Sequence, residues 1–214
     1  MFQHQGIWLP DGEKHFPEWM TKNGEIVDGK GTYQIRKLRE ALTVVRQFRV
    51  AVDCGAHIGT WAMHLAKRFR EVEAFEPMAP FRACFEKNVT HENVCLHRYP
   101  LGDADRNVNM AYNPADSGDT HVSGSGDMKM RTLDSFEFEE VDFIKVDVEG
   151  YEDKVLLGAM DTIERCRPVI IVEQKAKKLG VNFGISGTPA VDLLQSIGMR
   201  IHRVMSGDYI MVFR

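Results

Sequence analysis

From about residue 49 onward, short apolar runs alternate with stretches whose hydrophobic residues recur every three or four positions. RVAVD (49–53) reads as a first strand, and Thr60–Phe69 as a helix with Trp61, Leu65 and Phe69 at four-residue spacing and Met63 and Ala66 widening the apolar side. EVEAFEP (71–77) is a second strand, stopped by Pro77. Phe81, Phe85 and Val89 mark the next helix, and VCLHRY (94–99) is a third strand. VDFIKVD (141–147) and PVIIVE (168–173) add two more strands, separated by a helix over Glu152–Glu164. Met199–Met205 and Tyr209–Phe213 flank the turn-forming SGD and read as a terminal antiparallel hairpin. The pattern predicts an α/β chain: seven strands in one mostly parallel sheet, helices on both faces, and an antiparallel hairpin at the C-terminus.

Two segments break the rhythm. Residues 1–31 carry Trp8, Pro10, Phe16, Pro17 and Trp19 among polar neighbours, and Tyr33–Phe48 reads as a helix leading into the first strand. Residues 1–48 are therefore expected to be an extension that caps or packs on a main domain of residues 49–214. Residues 113–129, rich in Gly, Ser and Asp, are expected to form a long loop, and loops of that length tend to be functional lids or disordered.

Size and charge narrow the classes. A length of 214 residues suits one substantial α/β domain, and a net charge of −4 offers no global attraction for nucleic acid or an anionic membrane. The four cysteines are scattered without zinc-ligand spacing and read as free thiols of a reducing compartment. With no membrane-length apolar run and no signal-peptide build at the start, cytoplasm is the expected location.

The turn VDCGAHIGTW (52–61) holds the first candidate chemistry. Gly55 and Gly59 lie between a strand and a helix, where missing side chains let a ligand approach the backbone and helix-start N–H groups are free. Asp53 stands where a dinucleotide-binding turn has its first glycine. A carboxylate there repels a pyrophosphate and suits an ammonium group, as S-adenosylmethionine (SAM) presents. Ala56, His57 and Thr60 complete the turn. Glu76, at the end of the second strand and followed by Pro77, can accept hydrogen bonds from two ribose hydroxyls, and Asp103 is a candidate for the adenine edge.

A second constellation is FIKVDVEGYEDKVLLGA (143–159). A central parallel strand should be almost wholly apolar, yet Lys145, Asp147 and Glu149 alternate with Ile144, Val146 and Val148, which puts the three charges on one side. A buried lysine must have a partner, and Asp147 or Glu149 is nearest along the chain. Asp147 falls at the carboxyl end of its strand, where open α/β sheets bind ligands.

Taken in order, VDCGAHIGTWA, AFEPMAPFRACFEKNV, PLGD, RTLDSF, IKVDVEGYEDKVLLGA and RPVIIVEQ resemble the FkbM family of SAM-dependent methyltransferases over about residues 50–174. The resemblance implies a Rossmann-like class I methyltransferase fold and methyl transfer from SAM, usually to a hydroxyl oxygen. Asp53, Gly55 and Glu76 would bind SAM, and Lys145, Asp147, Glu149 and Glu152 fall on the family's hallmark stretch. His57 departs from the family, which commonly has a small polar residue such as Asn there.

An alcohol is a poor nucleophile until it loses its proton, so a base is expected near the acceptor. Asp147 and Glu149 are the first candidates, with Glu173 and His121 behind them, and Lys145 completes the expected catalytic group. Asp147, Glu149 and Glu173 also offer the hard oxygens that Mg²⁺ prefers, which makes magnesium a secondary expectation. The expected acceptor is a sugar or another small hydroxylated metabolite, and a homodimer is a further expectation. A nucleobase or amine acceptor is the alternative, although no N-P-P-Y type tetrapeptide is present; a SAM-binding protein without catalysis is another.

Overall fold

The computed structural model describes residues 1–213. Its first third wraps the domain edge. A hairpin of β1 (Phe2–His4) and β2 (Ile7–Leu9) leads to α1 (His15–Asn23), a small hairpin of β3 (Ile26–Val27) and β4 (Lys30–Gly31), and α2 (Ile35–Leu42). The expected helix over 33–48 is thus shorter, confined to Ile35–Leu42. The body of the chain then runs β5 (Val50–Cys54), α3 (Ala62–Leu65), β6 (Glu71–Phe75), α4 (Ala79–Asn88) and β7 (Val94–His97), followed by an antiparallel pair, β8 (Arg106–Ala111) and β9 (His121–Met130). It closes with β10 (Val141–Val146), α5 (Glu152–Leu157), α6 (Met160–Cys166), β11 (Val169–Glu173), α7 (Ala176–Phe183), α8 (Pro189–Ser196), β12 (Met199–Met205) and β13 (Asp208–Phe213).

Seven strands form one sheet in the order β12-β13-β11-β10-β5-β6-β7. β5, β6, β7, β10 and β11 are parallel, and β13 runs antiparallel to both β11 and β12. The chain leaves β5 toward β7 and returns on its other side at β10, so the point where strand order reverses lies between β5 and β10. The last hairpin turns on Ser206 and Gly207, both at positive φ, the twist-compatible two-residue turn.

Strand alternation divides the core between the two faces. Ala51, Phe143 and Ile171 point into a cluster that holds Trp61, Leu65 and Phe85 together with Ile7, Leu9, Phe16, Met20 and Leu38 of the N-terminal segment. Val52, Ile144, Ile170 and Val172 point the other way, against Leu156, Ile163 and Leu194. The N-terminal segment supplies part of the apolar cover of one face.

Two expectations are corrected. The single helix over 152–164 is broken into α5 and α6, because Gly158 packs so closely on the Gly102 carbonyl that a Cβ would lie 2.0 Å from its oxygen. α6 starts afresh there, with the Asp161 and Thr162 N–H groups donating to the Asp134 carboxylate at 3.1 and 2.9 Å. The expected loop over 113–129 is mostly strand from His121 on, because it has a partner in β8 whose six polar and apolar residues gave a weak signal. The register slips around Asn109, where Gly124 at φ 122° sits in a bulge.

Candidate active site

A cavity of about 250 Å³ opens over the carboxyl ends of β5, β6, β10 and β11. On the β5–β6 side it is walled by Gly55, Ala56, His57, Thr60, Glu76 and Pro77, all expected from the sequence. Glu76 is 5% exposed; the His57 N–H donates to its Oε2 at 2.9 Å and the Met78 N–H to its Oε1 at 2.7 Å. Burial outweighs these two bonds and lifts the Glu76 carboxyl to about 7. Each oxygen keeps a lone pair for a ligand hydroxyl.

Three expected residues stand back from this wall. Gly59 faces α4, where a Cβ would collide with Val89 and Phe85, so its missing side chain serves helix packing. Gly55 does line the cavity, but its Cα also abuts the Asp147 carbonyl, and a Cβ would come within 2.0 Å of that oxygen. Asp103 is held by Arg106 at 2.8 Å and Lys154 at 3.8 Å, and its place beside the cavity is taken by Tyr99, Pro100 and Leu101. Asp53 is fully buried beneath the cavity floor.

The partner of Asp53 is Lys145, its register neighbour on β10. Lys145 Nζ lies 3.2 Å from Asp53 Oδ1 and 3.8 Å from Asp147 Oδ2, and donates to the Gly55 carbonyl at 2.8 Å. Apart from that ion pair, neither Asp53 oxygen has a hydrogen-bond partner among the described residues. Burial pushes the Asp53 carboxyl up while Lys145 pulls it down, and the two carboxylates together hold the ammonium in its charged form. The lysine therefore ties three strand-end features together: the acid of β5, the glycine turn and the acid of β10.

At the β10–β11 side, Asp147, Glu149 and Glu173 each present a carboxylate oxygen within 4.8 Å of the others. Burial and the neighbouring acids raise Glu149 to about 8, and Glu173 shifts the same way. Lys178 donates to Glu149 at 2.6 Å and Lys175 to Glu173 at 2.5 Å. The group is compact enough for an ion, but two of its three acids already hold lysines. Tyr33 reaches the same part of the cavity, its hydroxyl proton held tightly by burial and the surrounding acids.

Glu152 has a different task. It accepts from the Val148 and Gly150 N–H groups at 3.3 and 3.0 Å and from Gln174 Nε2 at 3.0 Å, fixing the turn that carries Glu149 at φ 50°. His121 turns its ring toward Phe183, with Nδ1 at 2.9 Å from the Asp119 carbonyl, and is not part of the cavity wall.

The profile of the Methyltransferase FkbM domain matches residues 53–193. The chain belongs to the FkbM methyltransferase family. A curated relative, hexuronic acid methyltransferase AglP of Haloferax volcanii, is 29% identical over 155 residues, which cover 65% of this chain and 64% of that protein. The chain thus matches less than two-thirds of that relative's length. Among solved structures, the FkbM methyltransferase of Methylobacillus flagellatus superposes with a TM-score of 0.52 at 20% identity, over 79% of this chain and 45% of that one. Precorrin-6y C5,15-methyltransferase of Geobacter metallireducens does so with a TM-score of 0.50 at 14% identity, over 98% and 97%. These two likenesses concern the fold.

The N-terminal segment, which precedes the stretch matched by the FkbM profile, also contributes to the cavity. His15, Phe16 and Tyr33 line it, and Phe16 stacks on Tyr33 at 4.5 Å and leans on the His57 ring at 4.8 Å. Sequence reasoning named Phe16 for packing and missed Tyr33, Lys175 and Lys178 as cavity residues. The lysines carried one readable signal, standing just after the acid that ends β11.

Proposed function

We propose that this protein is a SAM-dependent O-methyltransferase acting on a hydroxyl group of a sugar or sugar acid. One observation carries the reading: a glycine turn with a ribose-type carboxylate, Glu76, shares a single cavity with three converging acids, Asp147, Glu149 and Glu173. The family supports the cofactor, and the hexuronic acid specificity in the relative's name supports the acceptor class.

The residues present fit SAM. Glu76 has acceptor capacity to spare, Phe75, Tyr99 and Leu101 offer apolar surface for a flat base, and the Gly55–His57 backbone borders the cavity. Bound there, SAM supplies a methyl group already activated on a sulfonium. The chain's own residues then have to align the acceptor oxygen and take its proton. Glu149, raised to about 8 by burial and then by its acidic neighbours, is a stronger base than an ordinary carboxylate once ionised, so it takes the acceptor proton increasingly well as pH rises toward 8. Asp53 acts through Lys145, which holds Asp147 and the glycine turn in register.

The convergence of acids also favours a hydroxyl over a carboxylate as the methylated group. A carboxylate needs no base, and placing it beside Asp147, Glu149 and Glu173 would add like charge to a group whose ionisation is already opposed by its neighbours. Lys175 and Lys178 can accommodate an acid group elsewhere on the sugar ring.

The test is to incubate the protein with methyl-labelled SAM and, in parallel, a neutral hexoside and the matching hexuronoside, then treat the products with mild alkali. Label retained through alkali, as a methyl ether, is the expected result. Label released as methanol would mean a methyl ester and a carboxylate acceptor. No SAM uptake by folded protein would remove the reading.

A further inference from the structure

Glu73, Cys95 and His97 lie away from the cavity wall, on the two strands at one edge of the sheet. The register sets Glu73 opposite Cys95 and Phe75 opposite His97, and the two-residue period turns all four side chains to one face. His97 Nε2 is 2.6 Å from Glu73 Oε2, and one ligating atom from each of Glu73, Cys95 and His97 lies within 4.8 Å of the other two. Cys95 is exposed, so the group is open to solvent.

The surroundings suit an ion better than the acid group at the active site does. Glu149 and Glu173 hold lysines, whereas among the described residues Glu73 pairs with no lysine or arginine, only with His97. The imidazole is fixed by aromatic rings: Phe75 stacks on it at 4.5 Å, Phe136 lies at 5.0 Å and Phe138 at 5.9 Å. Ligands on paired strands are already placed, so little side-chain order has to be imposed on binding.

We propose that Glu73, Cys95 and His97 form a binding site for a thiophilic divalent cation, Zn²⁺ foremost, with water in the fourth position. One thiolate, one imidazole nitrogen and one carboxylate oxygen are the mixed set that tetrahedral Zn²⁺ accepts, and the sulfur disfavours Mg²⁺ and Ca²⁺. On binding, the Cys95 Sγ–H bond breaks, its proton goes to solvent, and the sulfur forms a bond to the metal. The proton of the Glu73–His97 hydrogen bond passes through solvent to His97 Nδ1, which frees Nε2 and the carboxylate oxygen to form two metal bonds, with no change of oxidation state. Two links join the site to the cavity. Phe75, stacked on His97, lines the cavity, and the Glu76 N–H donates to the His97 carbonyl at 3.0 Å. An ion here would stiffen the strand pair that presents Glu76.

The full chain, freed of metal, is titrated with Co²⁺ as a spectroscopic probe and then with Zn²⁺. The expected result is one Co²⁺ per chain with a thiolate-to-metal charge-transfer band, displaced by Zn²⁺, and a melting temperature that rises with added Zn²⁺. Cys95→Ser, a near-isosteric change at an exposed position, should abolish the band, His97→Ala should weaken uptake on the order of 100-fold, and Cys166→Ser should change neither. No uptake, a band that survives Cys95→Ser, or uptake lost on Glu149→Gln instead would overturn the assignment.

Discussion

Glu13 and Ser117, 104 residues apart in the chain, are joined by a buried carboxylate that accepts both the Ser117 N–H, at 2.8 Å, and the Ser117 hydroxyl. Glu13 also accepts the Phe16 N–H at 3.0 Å. With its proton given to Glu13, Ser117 Oγ is left to accept from His57 Nε2, 2.9 Å away. The network therefore assigns His57 as the Nε2–H tautomer with a bare Nδ1, and Nδ1 has no partner among the described residues. Burial pushes the His57 imidazole down to about 3, so the ring is neutral at any working pH. Thus the two segments that broke the sequence rhythm meet each other and grip the glycine turn. Glu13→Ala strands three buried donors and should cost about 1–3 kcal/mol, lowering the melting temperature by about 2–4 °C per kcal/mol. Imidazole nitrogen NMR should show His57 losing its single tautomer in the same variant.

Glu76 is expected to govern cofactor affinity, and to do so through its ionised form. Ribose hydroxyls donate to a carboxylate, while the buried carboxyl holds its proton up to about pH 7. SAM binding must displace that proton at lower pH. Calorimetric titration should show affinity rising by roughly tenfold per pH unit below 7 and levelling above it. Glu76→Gln should weaken binding and remove the slope.

The features read from the sequence were those with strong local periodicity or an abrupt break in it. Seven strands, the closing hairpin and the glycine turn follow from alternating apolar runs and turn residues. Charges in a strand that should be apolar pointed to Lys145 and Asp147. What stayed hidden depends on distant pairing. β8 and β9 reveal themselves only together, Lys145 answers Asp53 across strands rather than Glu149 along the chain, and the Gly158 break needs Gly102 beside it. Glu13 shows no local pattern, because its partner Ser117 arrives from a remote loop.

The ligand-free protein should be more stable in mild acid than in mild base. Glu76, Glu152 and Asp208 are raised to about 7, and Glu149 to about 8, mainly by burial. Between the unfolded carboxylate range near 4.5 and these values, the folded state binds more protons than the unfolded state, so stability falls as pH rises. Melting temperature should decline steadily from pH 5 to pH 8, and Glu149→Gln should flatten the upper part of that decline.

Turnover is expected to separate from cofactor binding at the acid group. If Glu149 takes the acceptor proton, kcat/KM rises with pH up to about 8 and then levels. Glu149→Gln should remove this limb and lower kcat by roughly 10²–10⁴-fold, while SAM affinity stays within a few-fold of the parent. Asp147→Ala should likewise spare SAM affinity and remove turnover. Equal loss of binding and turnover would instead make Asp147 part of the fold, since its backbone already meets Gly55.

The Asp53–Lys145 pair should be a point of weakness when half of it is removed. Lys145→Met leaves a wholly buried carboxylate that has lost its one close positive charge among the described residues, a change that typically costs about 3–5 kcal/mol. That cost has a ceiling, because Asp53 can take up a proton instead, and burial already pushes its carboxyl upward. Protonation is easier in acid, so urea unfolding should show a deficit that is smaller at pH 5 than at pH 8. Adding Asp53→Asn removes the stranded charge and should recover most of the loss at pH 8, though not the grip of Lys145 on the Gly55 carbonyl. The double variant is then expected to fold well but bind SAM more weakly, since the glycine turn has lost its tether to β10. A deficit equal at both pH values would mean that Asp53 stays protonated even opposite Lys145.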